Sequence, residues 1–181
     1  AWDPVENAAC LPWFTATAFL HSVMTQERRG MFKVWNVFLI GLTFFLTIFG
    51  TFLTRSGIIA SVHSFARSDI GWWFLGYMIV LVVVMAGLIA WRYRVLTKVP
   101  HQIDALLSRE FMFLLNNWIL IGMMVFVLGA TMWPKITDLL YGEEATVGPP
   151  FYNRWMPAFG LALLFLAGFG PLVSWRKATS S

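Results

Sequence analysis

The sequence is poor in charge and almost without cysteine. Only 12% of its 181 residues are charged, whereas 59% are hydrophobic, a balance far outside that of ordinary soluble domains. The single cysteine, Cys10, excludes an internal disulfide, a multi-thiolate metal site and a Cys-x-x-Cys-His motif for covalent haem attachment. We interpret Cys10 as a small apolar residue at the start of a helix.

Internal repeats, low-complexity tracts, an initiator methionine and a signal peptide are also missing. We therefore expect residues 1–181 to form one membrane domain that is a fragment of a larger protein. The formal net charge is +4, but the basic residues stand in short clusters between apolar runs. Such clusters favour a membrane topology signal and exclude the basic stripe of a nucleic-acid-binding protein.

Five apolar runs are long enough to cross a bilayer, which takes roughly 20 residues of helix. Seventeen Phe and ten Trp supply lipid-facing bulk and rings suited to the membrane–water interface. The predicted fold is all-α, a polytopic transmembrane bundle. The predicted spans are residues 8–24, 34–54, 72–91, 111–133 and 155–175, of which the first is short and contains Pro12 in its opening turns.

Basic residues divide unequally between the two sides of the predicted bundle. One side carries nine: Arg28, Arg29, Lys33, Arg92, Arg94, Lys98, Arg109, Arg176 and Lys177. The other side carries four, Arg55, Arg67, Lys135 and Arg154, together with most of the acidic residues. Because short cytoplasmic loops are enriched in Lys and Arg, the first side is predicted to be cytoplasmic. Residues 1–7, 55–71 and 134–154 are then expected on the outer face.

His21 lies inside the first predicted span, roughly 18–20 Å below the outer surface at about 1.5 Å per residue. An imidazole at that depth needs a partner, and ionisable residues inside a membrane often mark functional sites. Three roles are open on the residue chemistry: a proton relay, an interhelical hydrogen bond, and a metal or haem ligand.

His63 lies in the outer connection, where the apolar pattern predicts a short interfacial helix over 57–67 capped by Ser56. With Arg55 and Arg67 on either side, its imidazole could ligate a planar cofactor whose carboxylates pair with the guanidinium groups. The same pattern fits an interfacial helix that contacts lipid headgroups. His101 follows Pro100 in a cytoplasmic loop, and we predict a solvated surface residue.

Residues 1–7, Ala-Trp-Asp-Pro-Val-Glu-Asn, form a short aromatic and acidic motif on the predicted outer face. Asp3 before Pro4 fits a turn or a helix cap, and Trp2 fits an interfacial belt. Alternatively, Trp2 belongs to an aromatic shelf for a flat ring system that Asp3 helps to orient.

The motifs resemble those of a known family. Residues 2–8 resemble the second half of the tryptophan-rich WWD motif of cytochrome c assembly proteins. Further strings follow in the order found in the CcmF branch: 20–22, 50–57, 61–66, 107–110, Asn116-Asn117 and 147–153. The likeness extends almost from end to end. The resemblance implies a cytochrome c biogenesis protein, a subunit of the haem lyase that joins haem to the Cys-x-x-Cys-His motif of apocytochrome c.

Residue by residue, the resemblance implies two haem sites. His63 is expected to be an axial ligand of transient haem at the outer face, held on a platform that includes Trp2 and Asp3. His21 is expected to be a ligand of a permanent b-type haem in the membrane. The second ligand of each haem is absent from this sequence, so we expect the chain to be inactive as a haem lyase by itself.

The implied partners are the haem chaperone CcmE, apocytochrome c and a CcmH-type thiol subunit, besides the lipid bilayer; no nucleic acid is expected. The implied location is the bacterial cytoplasmic membrane, or the mitochondrial inner membrane for a split organellar gene. Two other functions fit the residues: a haem or solute transporter that uses His21 and the helix interiors as a pathway, and a non-catalytic assembly scaffold. Neither catalytic nucleophile–base pairs nor phosphate loops are recognisable in the sequence.

Overall fold

A computed structural model describes residues 2–58, 70–98 and 108–173, and it contains five long helices in the described residues. They are α1 (Pro4–Arg29), α2 (Lys33–Ser56), α3 (Ile70–Leu96), α4 (Arg109–Tyr141) and α5 (Pro149–Phe169). A short 3₁₀ helix, Gly170–Leu172, follows α5. The predicted all-α bundle of long helices is confirmed.

The helix ends follow ordinary capping chemistry. Asp3 caps α1 by accepting a hydrogen bond from the Val5 backbone N–H at 3.0 Å, and Ser108 caps α4 in the same way through the Phe111 N–H at 3.3 Å. Gly30 and Gly142 end α1 and α4 with positive φ angles of 71° and 72°, a conformation that costs glycine little. The capped helices α1 and α4 are therefore longer than the apolar runs 8–24 and 111–133 from which they were predicted.

The connection predicted for residues 134–154 is shorter than expected. Helix α4 continues through Pro134 to Tyr141, and α5 begins at Pro149, so only 142–148 connect the two helices. Pro149 and Pro150 stand in the first turn of α5, where a missing N–H costs no hydrogen bond. Hydropathy locates only the part of a helix that lies in hydrocarbon, which explains why the polar ends were missed.

The interfacial helix predicted over 57–67 lies mostly outside the described residues. Ser56 is the last residue of α2, and Gly57 ends that helix with a φ of 63°. Gly57 and Ile58 are not helical. Because a left-handed residue does not continue a right-handed helix, α2 stops at Ser56, and a separate helix over roughly 57–67 stays a prediction.

Four of the described helices, α2, α3, α4 and α5 with its 3₁₀ extension, are long and apolar enough to cross a membrane. Helix α1 is not among them, but it packs antiparallel to α4 along its whole length. Asn7 contacts Thr131 at one end, and Arg29 contacts Glu110 at the other. The 22 residues between the contacts on α1 cover about 33 Å, the thickness of a bilayer core. Polar side chains that face α2 and α4 lower the hydropathy of α1.

The core lies between α1, α2 and α4. Its buried residues are Leu11, Phe14, Ala18, Leu39, Leu46, Leu120, Met123, Met124 and Val127. Helix α3 packs only on α2 among the described elements and leaves most of its apolar surface exposed, as a lipid-facing helix would. Trp72 and Trp91 stand about 28 Å apart along α3, at the spacing of the two aromatic belts of a bilayer.

Contacts between helix ends sort the loops into the two predicted groups. Residues 2–7, the end of α2, the start of α3 and the α4–α5 connection meet at one end of the bundle. At the opposite end, Gln26 binds Asn36, and Arg109 donates to the Pro171 and Val173 carbonyls. The basic residues predicted to be cytoplasmic that fall in the described residues lie at this second end. The structure therefore reproduces the grouping of the loops, while the assignment of sides stays a prediction.

Candidate functional site

A buried asparagine joins three helices at the end of the bundle that is predicted to be outer. The Asn7 side chain on α1 is 4% exposed, and its Nδ2 lies 3.1 Å from Thr131 Oγ1 on α4 and 3.3 Å from the Tyr152 hydroxyl on α5. It also approaches the Trp2 carbonyl oxygen at 3.4 Å. In an apolar surrounding each of these polar groups would be costly without a partner. Asn7 therefore fixes the position of the segment that holds Trp2.

Trp2 lies flat on Tyr152. The ring centroids are 4.5 Å apart, the planes differ by 6°, and the indole N–H donates to Asn153 Oδ1 at 2.8 Å. The backbone of Trp2 has a φ of 67°, which costs a residue with a Cβ roughly 1–2 kcal/mol. Strained backbone that the surroundings hold in place is common at ligand sites. One face of the predicted aromatic shelf is thus covered by Tyr152, and a flat ligand would have to use the other face or the edge.

Asp3 has a structural role that the sequence also allowed. Its carboxylate caps α1, and Pro4 follows as the first helical residue. A negative charge at a helix N-terminus also stabilises the helix dipole. Asp3 thereby fixes the turn that carries Trp2, so substituting it would disturb the platform whether or not the carboxylate contacts a ligand.

Two hollows adjoin the Trp2–Tyr152 stack. A cavity of about 230 Å³ is lined by Trp2 and Tyr152 together with Pro4, Ile58, Ala130, Thr131, Pro134, Lys135, Glu144, Thr146 and Val147. Beside it, an apolar groove of about 840 Å³ runs between α4 and α5 and shares Ala130, Thr146 and Val147 with the cavity. An apolar groove next to a smaller hollow with charged groups suits an amphipathic ligand that is flat and carries carboxylates.

His21 is the predicted membrane site residue, and α4 holds its ring from two directions. Asn116 Nδ2 lies 2.6 Å from His21 Nδ1, and the Phe113 ring is stacked nearly parallel to the imidazole at a centroid distance of 5.8 Å. His21 is 17 residues past Pro4, so it is about 25 Å along α1 and nearer its inner end. The interhelical hydrogen bond that the sequence allowed is present, and it leaves the ligand role open.

Further buried polar groups lie at the same end of the α1–α4 interface as His21. Arg29 Nε lies 3.6 Å from Glu110 Oε1, and the Glu110 side chain is almost fully buried. Ser22, Thr25 and Asn117 are also buried between the helices. The interface is therefore polar at both ends and mainly apolar in the middle, and Asn7 and His21 lie about 21 Å apart along α1.

The other two histidines, His63 and His101, lie outside the described residues. Ile58 lines the outer cavity, and His63 follows five residues later, so the chain can span at most about 18 Å between them. Within residues 2–58, 70–98 and 108–173, no three His, Cys, Asp or Glu side chains lie close enough together to hold a metal ion. A ligand role for His21 therefore requires a metal that also has other ligands, as haem iron does.

Sequence reasoning missed the partners of the predicted residues. Tyr152 and Asn153 were placed in an outer loop, although Pro149 and Pro150 are a usual start for a helix. Asn116 was noted only as part of a motif, although two adjacent amides within an apolar run indicate an interhelical contact. Asn7 and Thr131 pair across 124 residues, and only the three-dimensional packing reveals that pairing.

Comparisons with known proteins point to one family. The model of a family described as cytochrome C assembly protein matches residues 1–59. The cytochrome c-type biogenesis protein CcmF of Pseudomonas aeruginosa is 40% identical over 181 residues, which cover 99% of this chain and 27% of that protein. CcmF of Escherichia coli is 38% identical over 178 residues, with coverages of 97% and 27%.

Similar values hold for CycK of Rhizobium meliloti, a cytochrome c-type biogenesis protein that is 38% identical over 177 residues, 97% of this chain and 26% of the relative. The chain thus spans about a quarter of the length of the curated relatives it matches. A solved structure of the cytochrome c heme lyase CcmF superimposes with a TM-score of 0.73 at 35% sequence identity. The superposition covers all of this chain and 25% of the chain in that structure.

Proposed function

Since the chain belongs to the cytochrome c assembly family and spans about a quarter of the length of its CcmF members, we propose that it is part of a cytochrome c haem lyase. In this function it holds haem at the outer face of the membrane while haem is joined to the Cys-x-x-Cys-His motif of apocytochrome c. The main support is the end-to-end structural likeness to the heme lyase CcmF at 35% identity.

The outer hollows support a haem platform. The groove between α4 and α5 is apolar enough for a porphyrin. Lys135 lines the adjoining cavity and pairs with Asp138, so it would have to exchange that partner to bind a carboxylate of the ligand. Trp2 stands at the edge of the cavity and Tyr152 keeps its indole from turning. His63 is the axial ligand in this proposal, as the family resemblance implies, and it lies outside the described residues.

His21 supports the second part of the proposal, a b-type haem in the membrane. Its imidazole lies about 25 Å along α1 from Pro4 and about 12 Å before Arg29, and Asn116 and Phe113 of α4 contact its ring. When bound, that haem would supply electrons to the outer haem iron and so keep it ferrous. The part of His21 is to ligate the iron through one ring nitrogen while α4 keeps the ring from rotating.

Thioether formation needs positioning more than a side-chain nucleophile. Each cysteine thiol adds across a vinyl group: a sulfur–carbon bond forms, and the thiol hydrogen is transferred to the other vinyl carbon. This chain contributes by fixing the orientation of the ring system and by keeping water from its apolar edge. Trp2, Tyr152 and Asn7 form a rigid unit suited to that task.

The proposed partners follow from the proposed reaction. A haem chaperone of the CcmE type would deliver haem, apocytochrome c would receive it, and a CcmH-type subunit would keep the receiving thiols reduced. All three would approach the outer face, where the α4–α5 connection 142–148 is exposed. The proposed location is the bacterial cytoplasmic membrane or the mitochondrial inner membrane.

Separate substitution of the two proposed ligands tests this function. In the complete gene product, we expect His63→Ala to abolish cytochrome c maturation while a b-type haem spectrum remains, and His21→Ala to remove that spectrum. His101→Ala is the matched control, because His101 is predicted to be a solvated loop residue, and it should change neither readout. Unchanged haem content and maturation in both the His63 and His21 variants would refute the haem-lyase proposal.

A further inference from the structure

Asn116 contacts His21 in a way that bears on which nitrogen of the imidazole is available. The Asn116 side chain is 7% exposed, and its Nδ2 lies 2.6 Å from His21 Nδ1 and 3.5 Å from His21 Nε2, so Nδ1 is the nearer ring nitrogen. Its Oδ1 is buried and has no hydrogen-bond partner among the described residues. The amide nitrogen of Asn116 thus contacts the imidazole, while the amide oxygen accepts no hydrogen bond from the described residues.

The orientation of the amide and the tautomer of His21 determine each other. If the amide N–H donates to Nδ1, the imidazole proton must be on Nε2, and Nε2 then has no lone pair for a metal. If the amide oxygen accepts instead, Nδ1 carries the proton and Nε2 is free to ligate. A half-turn of the amide exchanges the two arrangements, and it sacrifices no hydrogen bond of Oδ1 because Oδ1 makes none.

We propose that Asn116 is a positioning residue for His21. Its carbonyl oxygen accepts a hydrogen bond from the Nδ1–H of His21 and thereby leaves Nε2 unprotonated as the iron ligand. The inference rests on the proposed haem-ligand function of His21. Histidines that bind metals usually donate their other ring N–H to an oxygen, which fixes the tautomer and makes the ligand more basic. Phe113, one turn earlier on α4, fixes the ring plane by stacking.

The neighbouring Asn117 provides a matched control. It is also buried, at 2% exposed, and its Oδ1 likewise has no hydrogen-bond partner among the described residues, but it makes no hydrogen bond to His21. Asn116→Leu and Asn117→Leu therefore remove the same group from the same helix at the same depth. If the loss of any buried amide changed haem binding, both variants would show the change. If Asn116 positions His21, only Asn116→Leu would show it.

The test uses the complete gene product in detergent, with haem titration, redox titration of the b-type haem and ¹⁵N NMR of labelled histidine. Asn116→Leu is expected to weaken haem binding at the membrane site by about 10-fold or more, as loss of such a partner usually does. Its haem midpoint potential should shift to more positive values, since a less basic ligand stabilises the ferric state less. Asn116→Asp, which keeps an acceptor oxygen, should retain haem and shift the potential the other way.

Asn117→Leu is expected to leave the affinity and the potential unchanged, and equal unfolding midpoints of the two leucine variants would show that both are folded. Equal haem affinities and potentials in the two leucine variants would overturn the inference. In apo protein, the ¹⁵N shifts should show a proton on His21 Nδ1, and a proton on Nε2 would overturn it as well. If wild-type protein and His21→Ala have the same haem spectrum, the proposed function fails, and the apo measurement still decides the role of Asn116.

Discussion

Trp2 lies against Tyr152 with ring planes 6° apart and centroids separated by 4.5 Å, so the segment before α1 meets α5 through a pair of aromatic rings. The two residues are 150 positions apart in the sequence. The contact ties the aromatic motif before α1 to the first turn of α5, and both rings line the cavity of about 230 Å³. A rigid aromatic wall at an otherwise open hollow is the feature that most favours binding of a flat ligand at this end.

Substituting Trp2 should separate its binding role from its structural one. Trp2→Leu removes an aromatic stack worth about 0.5–1.5 kcal/mol beyond burial, and the free energy of unfolding should fall by about that amount. We expect a larger effect on haem retained at the outer face. Trp13→Leu is the control, because Trp13 is exposed on α1 and its ring contact is only with the adjacent Phe14 among the described rings. Equal outer haem content in both variants would argue against a platform.

The depth and partner requirement of His21 could be predicted from sequence, because a histidine within an apolar run is costly without a partner. The identity of that partner could not, because it depends on how far α4 is rotated against α1. Similarly, Trp2 was recognisable from its motif, but its contact with Tyr152 required knowing that α5 starts at Pro149. Local patterns predict helices and unusual residues, whereas pairings across 95 to 151 residues arise from packing.

The helix count illustrates the same division. Periodic apolar runs predicted five long helices, and the structure has them. The lowest hydropathy falls on α1, where the polar side chains of Asn7, Thr15, Ser22 and Thr25 are buried against other helices. Hydropathy reports how a segment partitions into lipid when it is alone, so it undervalues a helix that is surrounded by protein.

Asn7 should contribute stability out of proportion to its size. Asn7→Leu leaves the Tyr152 hydroxyl and Thr131 without the amide that contacts both, and loss of a buried partner costs about 1–3 kcal/mol. Tyr152→Phe removes one of those contacts and should cost about 1 kcal/mol. Unfolding in mixed micelles measures both changes. Because Asn7 and Tyr152 share this contact, the double variant should cost less than the two single variants together, and strict additivity would contradict the pairing.

The two residues of the Arg29–Glu110 pair should differ in how much their substitution destabilises the protein. Arg29→Leu leaves a carboxylate buried without its cation, which costs about 3–5 kcal/mol, whereas Glu110→Gln removes the buried charge and should cost less. Arg28→Leu is the control, since Arg28 is exposed on the neighbouring position of α1. Comparison of unfolding midpoints in detergent tests the order, which would be contradicted if the Arg28 and Arg29 variants were equally stable.

The predicted sidedness can be tested because the chain has a single cysteine to remove. In a Cys10→Ala background, Glu143→Cys places a thiol in the exposed 142–148 connection, and Arg28→Cys places one at the opposite end of the bundle. The basic loops predict that the second end is cytoplasmic. A membrane-impermeant maleimide added to intact spheroplasts should therefore label the Glu143→Cys protein and not the Arg28→Cys protein. Permeabilised cells should give labelling of both, which controls for reactivity. Labelling of the Arg28→Cys protein alone would invert the topology and would place Trp2 and the cavity beside it on the cytoplasmic side, where a platform for an extracytoplasmic reaction could not work.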